Sequence, residues 1–374
     1  MIDSLYPDIP EHLAGAVLRI DLDAVATNYR TLCHRLGDVA CGAVVKADAY
    51  GLGAERVGPV LARAGCQDFF VAHINEGVRL RRALATARIH VLSGLYSGAE
   101  DTFCEHNLLP VLGSLGEIAL WKNYCSTAPL PCDLHVDTGM LRLGLPTDEF
   151  RKIVDNPDLL AGLNLQLVLS HLASADETAS QQNPRQLAAF KQARAVIPAG
   201  QASFSNSSGI FLGPDYHFDI ARPGIALYGV NPTPGKPNPM RATVTLNARI
   251  VQLRDGHAGD SVGYSGTHRL DKATRIATVA VGYADGVLRS LSNRSCGHIG
   301  EYRVPLIGRV SMDLITFDVS DVPDCLLYPG QWIEMIGPRH TVDDMANDAG
   351  TIGYEILTSL GRRYHRVYKE SEDV

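Results

Sequence analysis

The sequence predicts an α/β fold in two parts, an N-terminal (β/α)8 barrel followed by a mostly antiparallel β domain. Three observations predict it. Short β-rich runs alternate with helical stretches eight times before about residue 228; a stretch dense in proline and glycine, NPTPGKPNP at 231–239, interrupts them; beyond it, β-branched runs succeed one another with few helical patterns between. At 374 residues, 45% of them hydrophobic and 20% charged, the chain is long enough for two domains with buried cores.

The eight runs are 42–48, 68–74, 88–94, 108–114, 131–138, 164–172, 202–208 and 217–228, each apolar and bounded by glycine, aspartate or other turn formers. Between them GAERVGPVLARAG (53–65), NEGVRLRRALA (75–85) and NPRQLAAFKQARAVI (183–197) place apolar residues at helical spacing. Eight βα units point to a TIM barrel. A doubly wound open sheet shows the same alternation, because periodicity does not report closure; the count of eight favours the barrel.

The proline-rich stretch reads as a linker, which divides the chain into a barrel over 1–236 and a β domain over 237–374. Runs such as TVTLNARIVQL, RIATVAVGY, YRVPLIGRV and LITFDVS make up the second part, with a final helical piece around Tyr354. Residues 16–22, AVLRIDL, form a further strand, and residues 1–22 can pair with either part.

Composition excludes several classes of partner. The formal charge of −7 and the absence of a Lys/Arg block argue against nucleic acid. The start, MIDSLYPDIPEHLAG, carries acids and prolines instead of a basic and then apolar leader, and no run is long enough to span a bilayer, so a cytoplasmic protein with a small-molecule partner is expected. The eight cysteines lack CxxC spacing, which fits reduced core thiols. Thirteen histidines show no ligand spacing, and no metal is expected. GLGAER lacks the third glycine of a dinucleotide loop, and GYSGT lacks the last glycine of a nucleophile elbow.

In a TIM barrel the reactive groups sit at the carboxyl ends of the strands. The polar residues at or just beyond the ends of these runs are Lys46, Asp137, Arg142, His171, Asn206, Ser207 and Arg222. For any one of them the plainer reading is a strand-end residue paired with a neighbouring loop, but together they share one rim. SNSSG (205–209) and ARPGI (221–225) are small-residue loops after runs seven and eight, where a barrel often holds a phosphate on backbone N–H groups. A phosphorylated ligand with a lysine on another strand end suggests pyridoxal phosphate held as a Schiff base by Lys46.

The stretches LRIDLDAVATNYR, VVKADAYGLG, DTGMLRLG, SHLASADE, SNSSG, ARPGIALYG, SVGYSG, VGYADG, GRVSMD and TIGYEILTSLGRRYHRVY together resemble the alanine racemases over nearly the whole chain. The resemblance implies pyridoxal phosphate on Lys46, phosphate contacts from Tyr50, Ser207, Gly224, Ile225 and Tyr354, and Arg222 facing the pyridine nitrogen. Arg142 and His171 would also lie against the cofactor. It further implies a homodimer with shared active sites, so that Tyr264, Met312 and Asp313 arrive from the other subunit. Lys46 and Tyr264 would be the two proton carriers that a racemase needs, one on each face of the planar carbanion. Free lysine and tyrosine both titrate near ~10, and the cationic neighbours Arg142 and Arg222 would tune them downward. The Met312 backbone N–H, with Arg142, would hold the substrate carboxylate.

One position departs from the family pattern. Before VDTGM the family often carries a lysine that becomes carbamylated and braces the nearby arginine, and His135 occupies that place. His135 is therefore a supporting residue whose partner the pattern does not name. A broader-specificity racemase, acting for instance on serine, is the alternative activity. A non-catalytic pyridoxal phosphate carrier needs no second domain, and a decarboxylase of similar build usually sets an acid where Arg222 stands. D-alanine would serve the bacterial cell wall or D-alanine catabolism.

Overall fold

The computed structural model describes residues 10–125 and 128–371; residues 1–9, the start of the stretch read for a leader, lie outside them. Contacts divide the chain into two compact units, one of Val25–Leu227 with Asn231–Arg241, the other of the chain up to Ala24 with Tyr228–Val230 and Ala242 onward. Strand β1 (Ala16–Asp21) ends where the Asp21 carboxylate accepts the Ala24 N–H at 2.8 Å, an N-cap that starts the helix Leu22–Leu36.

The first unit is a parallel barrel. β2 (Ala40–Cys41) lies just ahead of the first predicted run, and β3 (Ala43–Val44), β4 (Asp68–Val71), β5 (Arg88–Val91), β6 (Leu109–Leu112), β7 (Pro131–His135), β8 (Asn164–Leu169), β9 (Gln201–Ser203) and β10 (Ile220–Ala221) fall on or overlap the eight runs in turn. Seven of these form one sheet in the order β3-β4-β5-β6-β7-β8-β9. Closure comes from the eighth run. β10 pairs parallel with β2, Gly42 and Val44 donate to the Ala221 and Pro223 carbonyls at 2.9 Å, and on the other side Asp219 donates to Ala202 at 3.0 Å and Arg222 to Ser205 at 2.8 Å. β4 and β6 are buried at every residue, as strands covered on both faces must be. The predicted helices appear as Ala54–Arg63, Ile74–Ala83 and Gln182–Val196. Residues 231–241 cluster with this unit, where Asn28 accepts from the Arg241 N–H at 2.7 Å and donates to the Arg241 carbonyl at 2.9 Å.

The second unit is built on β11 (Val244–Gly256), β12 (Ser261–Val262), β13 (His268–Arg269), β14 (Thr274–Val279), β15 (Cys296–Ile299), β16 (Tyr302–Ile307), β17 (Ile315–Asp318), β18 (Trp332–Ile336) and β19 (His365–Lys369). Its eight-stranded sheet runs β14-β17-β16-β15-β18-β11-β1-β19, and β14 returns to pair with β11, which curls it into a barrel-like form. β11 manages two partners on one edge by means of an irregularity at Ile250–Gln252: its first half pairs with β18 and its second with β14. The strand at 16–21 joins this unit, antiparallel to β11 and parallel to β19. Among the described residues no helix is long and apolar enough to cross a membrane.

Candidate active site

Lys46 leaves the end of β3 on an unusual backbone. Ala47, Asp48, Ala49 and Tyr50 take φ values of 52°, 57°, 53° and 55°, four consecutive non-glycine residues in the left-handed region, each costing about 1–2 kcal/mol. The turn is hydrogen-bonded within itself: Ala49 donates to Val45, Gly51 to Ala47 and Gly53 to Asp48, all at 2.8 Å. It reverses the chain at once, so that Lys46 stays at the strand end while Tyr50 is buried. Burial first, then Arg142 and Arg222, hold the Lys46 amine below the ordinary lysine range, with Glu76 acting the other way.

Arg222 comes directly after β10 and is buried. Its guanidinium donates to Ser203 Oγ, to the Ser170 carbonyl at 2.6 Å, and lies 3.5 Å from His171 Nδ1. Burial brings its pKa down to about 10, against which Asp133 acts, so it remains a cation at neutral pH. The histidines beside it are neutral: burial and then Arg222, Arg142 and Lys46 hold His171 well below the ordinary range, and burial with Arg222 and Arg142 pushes His135 down to about 4.

The expected phosphate loops meet. Ser207 Oγ accepts from the Gly224 N–H at 2.9 Å and the Ala226 N–H at 3.2 Å, which joins SNSSG to the turn that carries Ile225. A Cβ at Gly224 would overlap the Tyr50 hydroxyl, so only glycine lets Tyr50 reach this cluster. Hydroxyl and amide donors at one end of a rim that also holds Lys46, Arg142 and Arg222 fit a phosphorylated ligand with a hydrogen-bond-accepting ring nitrogen.

His135 packs against the loop that carries Arg142, since a Cβ at Gly144 would lie 2.8 Å from His135 Cδ2, and its carbonyl accepts from Leu145 at 2.8 Å. The loop itself is shaped by Asp137, whose carboxylate accepts the Gly139 and Met140 N–H groups at 2.9 Å and that of Leu141 at 3.1 Å. Arg142 is exposed at its tip.

Tyr264, Met312, Asp313 and Tyr354 belong to the second unit. Tyr264 starts a short turn between β12 and β13 and is 72% exposed, not packed in a strand. Its loop lies beside the one carrying Met312: Arg309 donates to Ser265 Oγ at 3.1 Å. The Met312 loop is pinned by VGYADG, where Ala284 donates to the Met312 carbonyl at 3.1 Å and a Cβ at Gly282 would overlap that carbonyl. Asp313 accepts from Arg363 at 2.7 Å, and Arg363 also grips Asp285 through two bonds of 2.6 and 2.7 Å. Tyr354 lies on the helix Gly353–Ser359.

Against known families, the alanine racemase N-terminal domain matches residues 20–232 and the alanine racemase C-terminal domain residues 243–368. This chain belongs to the alanine racemase family. Proteins named alanine racemase from Rhodospirillum rubrum and Acidiphilium cryptum are each 51% identical to it, over 96% and 94% of this chain and 97% and 98% of theirs. The crystal structure of the alanine racemase from Bartonella henselae, which has covalently bound pyridoxal phosphate, superposes with a TM-score of 0.92 at 41% identity, over 95% of this chain and all of that one.

Sequence reasoning missed a second polar group of this chain, which reaches into the barrel from an exposed arginine. Arg88 holds Asp68 through bonds of 2.5 and 2.6 Å, Asp68 meets His90 Nε2 at 3.2 Å, and His90 Nδ1 meets Asp133 at 2.5 Å. Asp68, His90 and Asp133 are buried. Although burial opposes it, the two carboxylates push the His90 pKa up to about 9. The only sequence signal is a charged or polar residue inside DFFV, RIHV and PCDLH. Gln186 was also missed; from its helix it donates to the His171 carbonyl and accepts from Ala173, both at 2.9 Å, and so fixes the His171 loop.

Proposed function

We propose that this chain interconverts L- and D-alanine with pyridoxal phosphate held on Lys46, and that it works as a homodimer in the cytoplasm. The observation that carries the reading is the Lys46 amine at the end of β3, flanked by arginines and held below its ordinary pKa. Free thiols at all eight cysteines support a reducing compartment.

When bound, the cofactor supplies an electron sink that makes the α-hydrogen of an attached amino acid acidic. The chain supplies the rest. Ser207, the Gly224 and Ile225 amides, Tyr50 and Tyr354 would hold the phosphate, and Arg222, which keeps its own proton at neutral pH, would offer a hydrogen-bond donor to the ring nitrogen. Because Arg222 would donate without giving up its proton, it would temper that electron sink and so disfavour return of a proton away from the α-carbon. Lys46 Nζ removes or returns the α-proton on one face, and its lowered pKa makes a neutral amine more available near pH 7. The Tyr264 hydroxyl serves the other face. Arg142 and the Met312 backbone N–H hold the substrate carboxylate, neutral His171 sits beside Arg222, His135 supports the Arg142 loop, and Asp313 anchors the Met312 loop through Arg363.

Incubating the protein and pyridoxal phosphate with L-alanine in heavy water tests this directly. D-alanine bearing deuterium at Cα is expected; carbon dioxide without D-alanine, or no exchange, overturns it. Shared sites are tested by mixing inactive Lys46→Ala and Tyr264→Phe chains. If each site needs both subunits, random mixing restores roughly a quarter of the sites.

A further inference from the structure

Glu76 makes contacts that its own helix does not require. It is the third residue of Ile74–Ala83, where a glutamate commonly reaches back to cap its helix. That role accounts for one bond, from the His73 N–H to Oε2 at 3.1 Å. The same oxygen also accepts from Ala72 at 2.7 Å, and Oε1 accepts from the Ala47 N–H at 2.6 Å, from a residue 29 positions earlier and next to Lys46. Arg79, one turn further along the helix, lies 3.7 Å from the Asp48 carboxylate. One helix therefore grips the left-handed turn at Ala47 and Asp48 and ties it to the chain leaving β4.

We propose that Glu76 is a positioning residue whose carboxylate clamps the left-handed turn after β3 and thereby fixes the direction in which Lys46 leaves its strand. The role rests on the reading of Lys46 as the cofactor-bearing lysine. A turn of four left-handed residues persists only where its surroundings over-determine it, and charge-assisted bonds from carboxylate to backbone N–H are strong enough to do so. Glu76 is also the carboxylate that faces the Lys46 amine among Arg142, Arg222 and neutral His171, so it supports the proton that the arginines disfavour.

Glu76→Gln separates clamping from helix capping. Glutamine caps a helix as well as glutamate does, but it has one acceptor oxygen where the clamp uses two. In the full-length protein, hydrogen exchange at the Ala47 amide should rise at least about ten-fold in the variant, while exchange within 77–83 stays at the wild-type rate. Capture of added pyridoxal phosphate on Lys46, trapped with borohydride and read by mass spectrometry, should slow by a similar factor. In the cofactor-free chain, the pH midpoint for acetylation of Lys46 should fall, because the loss of a negative neighbour favours the neutral amine. If Glu76→Gln does not fold, Glu76→Asp keeps the charge but is one methylene short of Ala47, and faster Ala47 exchange is again expected. Wild-type rates for Ala47 exchange and cofactor capture in the variants overturn the inference alone. A wild-type protein that captures no cofactor on Lys46 overturns the Lys46 reading and this role with it.

Discussion

The barrel carries two groups of charges that obey opposite rules. At the strand ends, Lys46, Arg142 and Arg222 surround His135 and His171, and both histidines are held neutral. Toward the other ends of the strands, Arg88, Asp68, His90 and Asp133 alternate in sign, and the one histidine is held protonated at neutral pH. His90 and His135 are both largely enclosed, so burial alone favours the neutral form of each; the neighbours decide the outcome. The lower group is arranged as a balanced network that holds strands together. The upper group accumulates one sign of charge, a disposition that gains from a phosphate and a carboxylate and gives little to stability on its own.

The sharpest test removes one charge from each group. Lys46→Met is expected to lower alanine racemisation by at least about 10⁴-fold while leaving the urea midpoint unchanged or higher, because a disfavoured cation leaves a cationic cluster. Asp133→Asn is expected to cost about 3 kcal/mol in urea unfolding, since His90 would keep its buried position without its closest counter-charge. A large loss of stability in the first variant and none in the second would reverse the comparison.

The dependence of stability on pH reads both groups at once. His90 is raised to about 9, so the folded state holds an extra proton between about 6.5 and 9; its contribution is complete below 6.5 and is lost as pH rises through 9. His135 is lowered to about 4, so between about 4 and 6.5 the unfolded chain takes up the proton first and stability falls as the pH is lowered. Urea unfolding from pH 5 to 9 should therefore show a maximum near 6.5, with each limb sloping by at most about 1.4 kcal/mol per pH unit for each histidine. Replacing His90 with phenylalanine should flatten the alkaline limb and leave the acid limb in place.

The smallest effect expected is none. Because a histidine stands where the family often has a carbamylated lysine, and Asp137 ties down the Arg142 loop, depletion of bicarbonate should leave racemisation unchanged. A marked loss in carbonate-free buffer would mean that an anion completes this rim.

Much of the upper group was legible because it sits where strand patterns end. Lys46 closes an apolar run, Ser207 and Gly224 stand in small-residue loops, and Arg222 lies in the eighth run, so position along the chain already suggested a shared rim. The lower group was not legible. RIHV reads as an ordinary apolar strand, and nothing local says that His90 meets Asp133, since β6 lies between β5 and β7 in the sheet. That contact exists because the sheet curves, which brings the inward faces of non-adjacent strands together. Tyr264 was found only through the family resemblance; a tyrosine among glycines carries no mark of its exposed turn.

The sequence by itself determined the eightfold alternation of strand-bearing runs and helices, the place of the lysine and the loops around it, because periodicity and turn chemistry are local properties of the chain. Only the tertiary structure decided which histidines are charged, which carboxylate reaches the Lys46 turn, and that the strand at 16–21 joins the second unit. Those depend on which distant groups share a region of low dielectric, and closure of the barrel sets that.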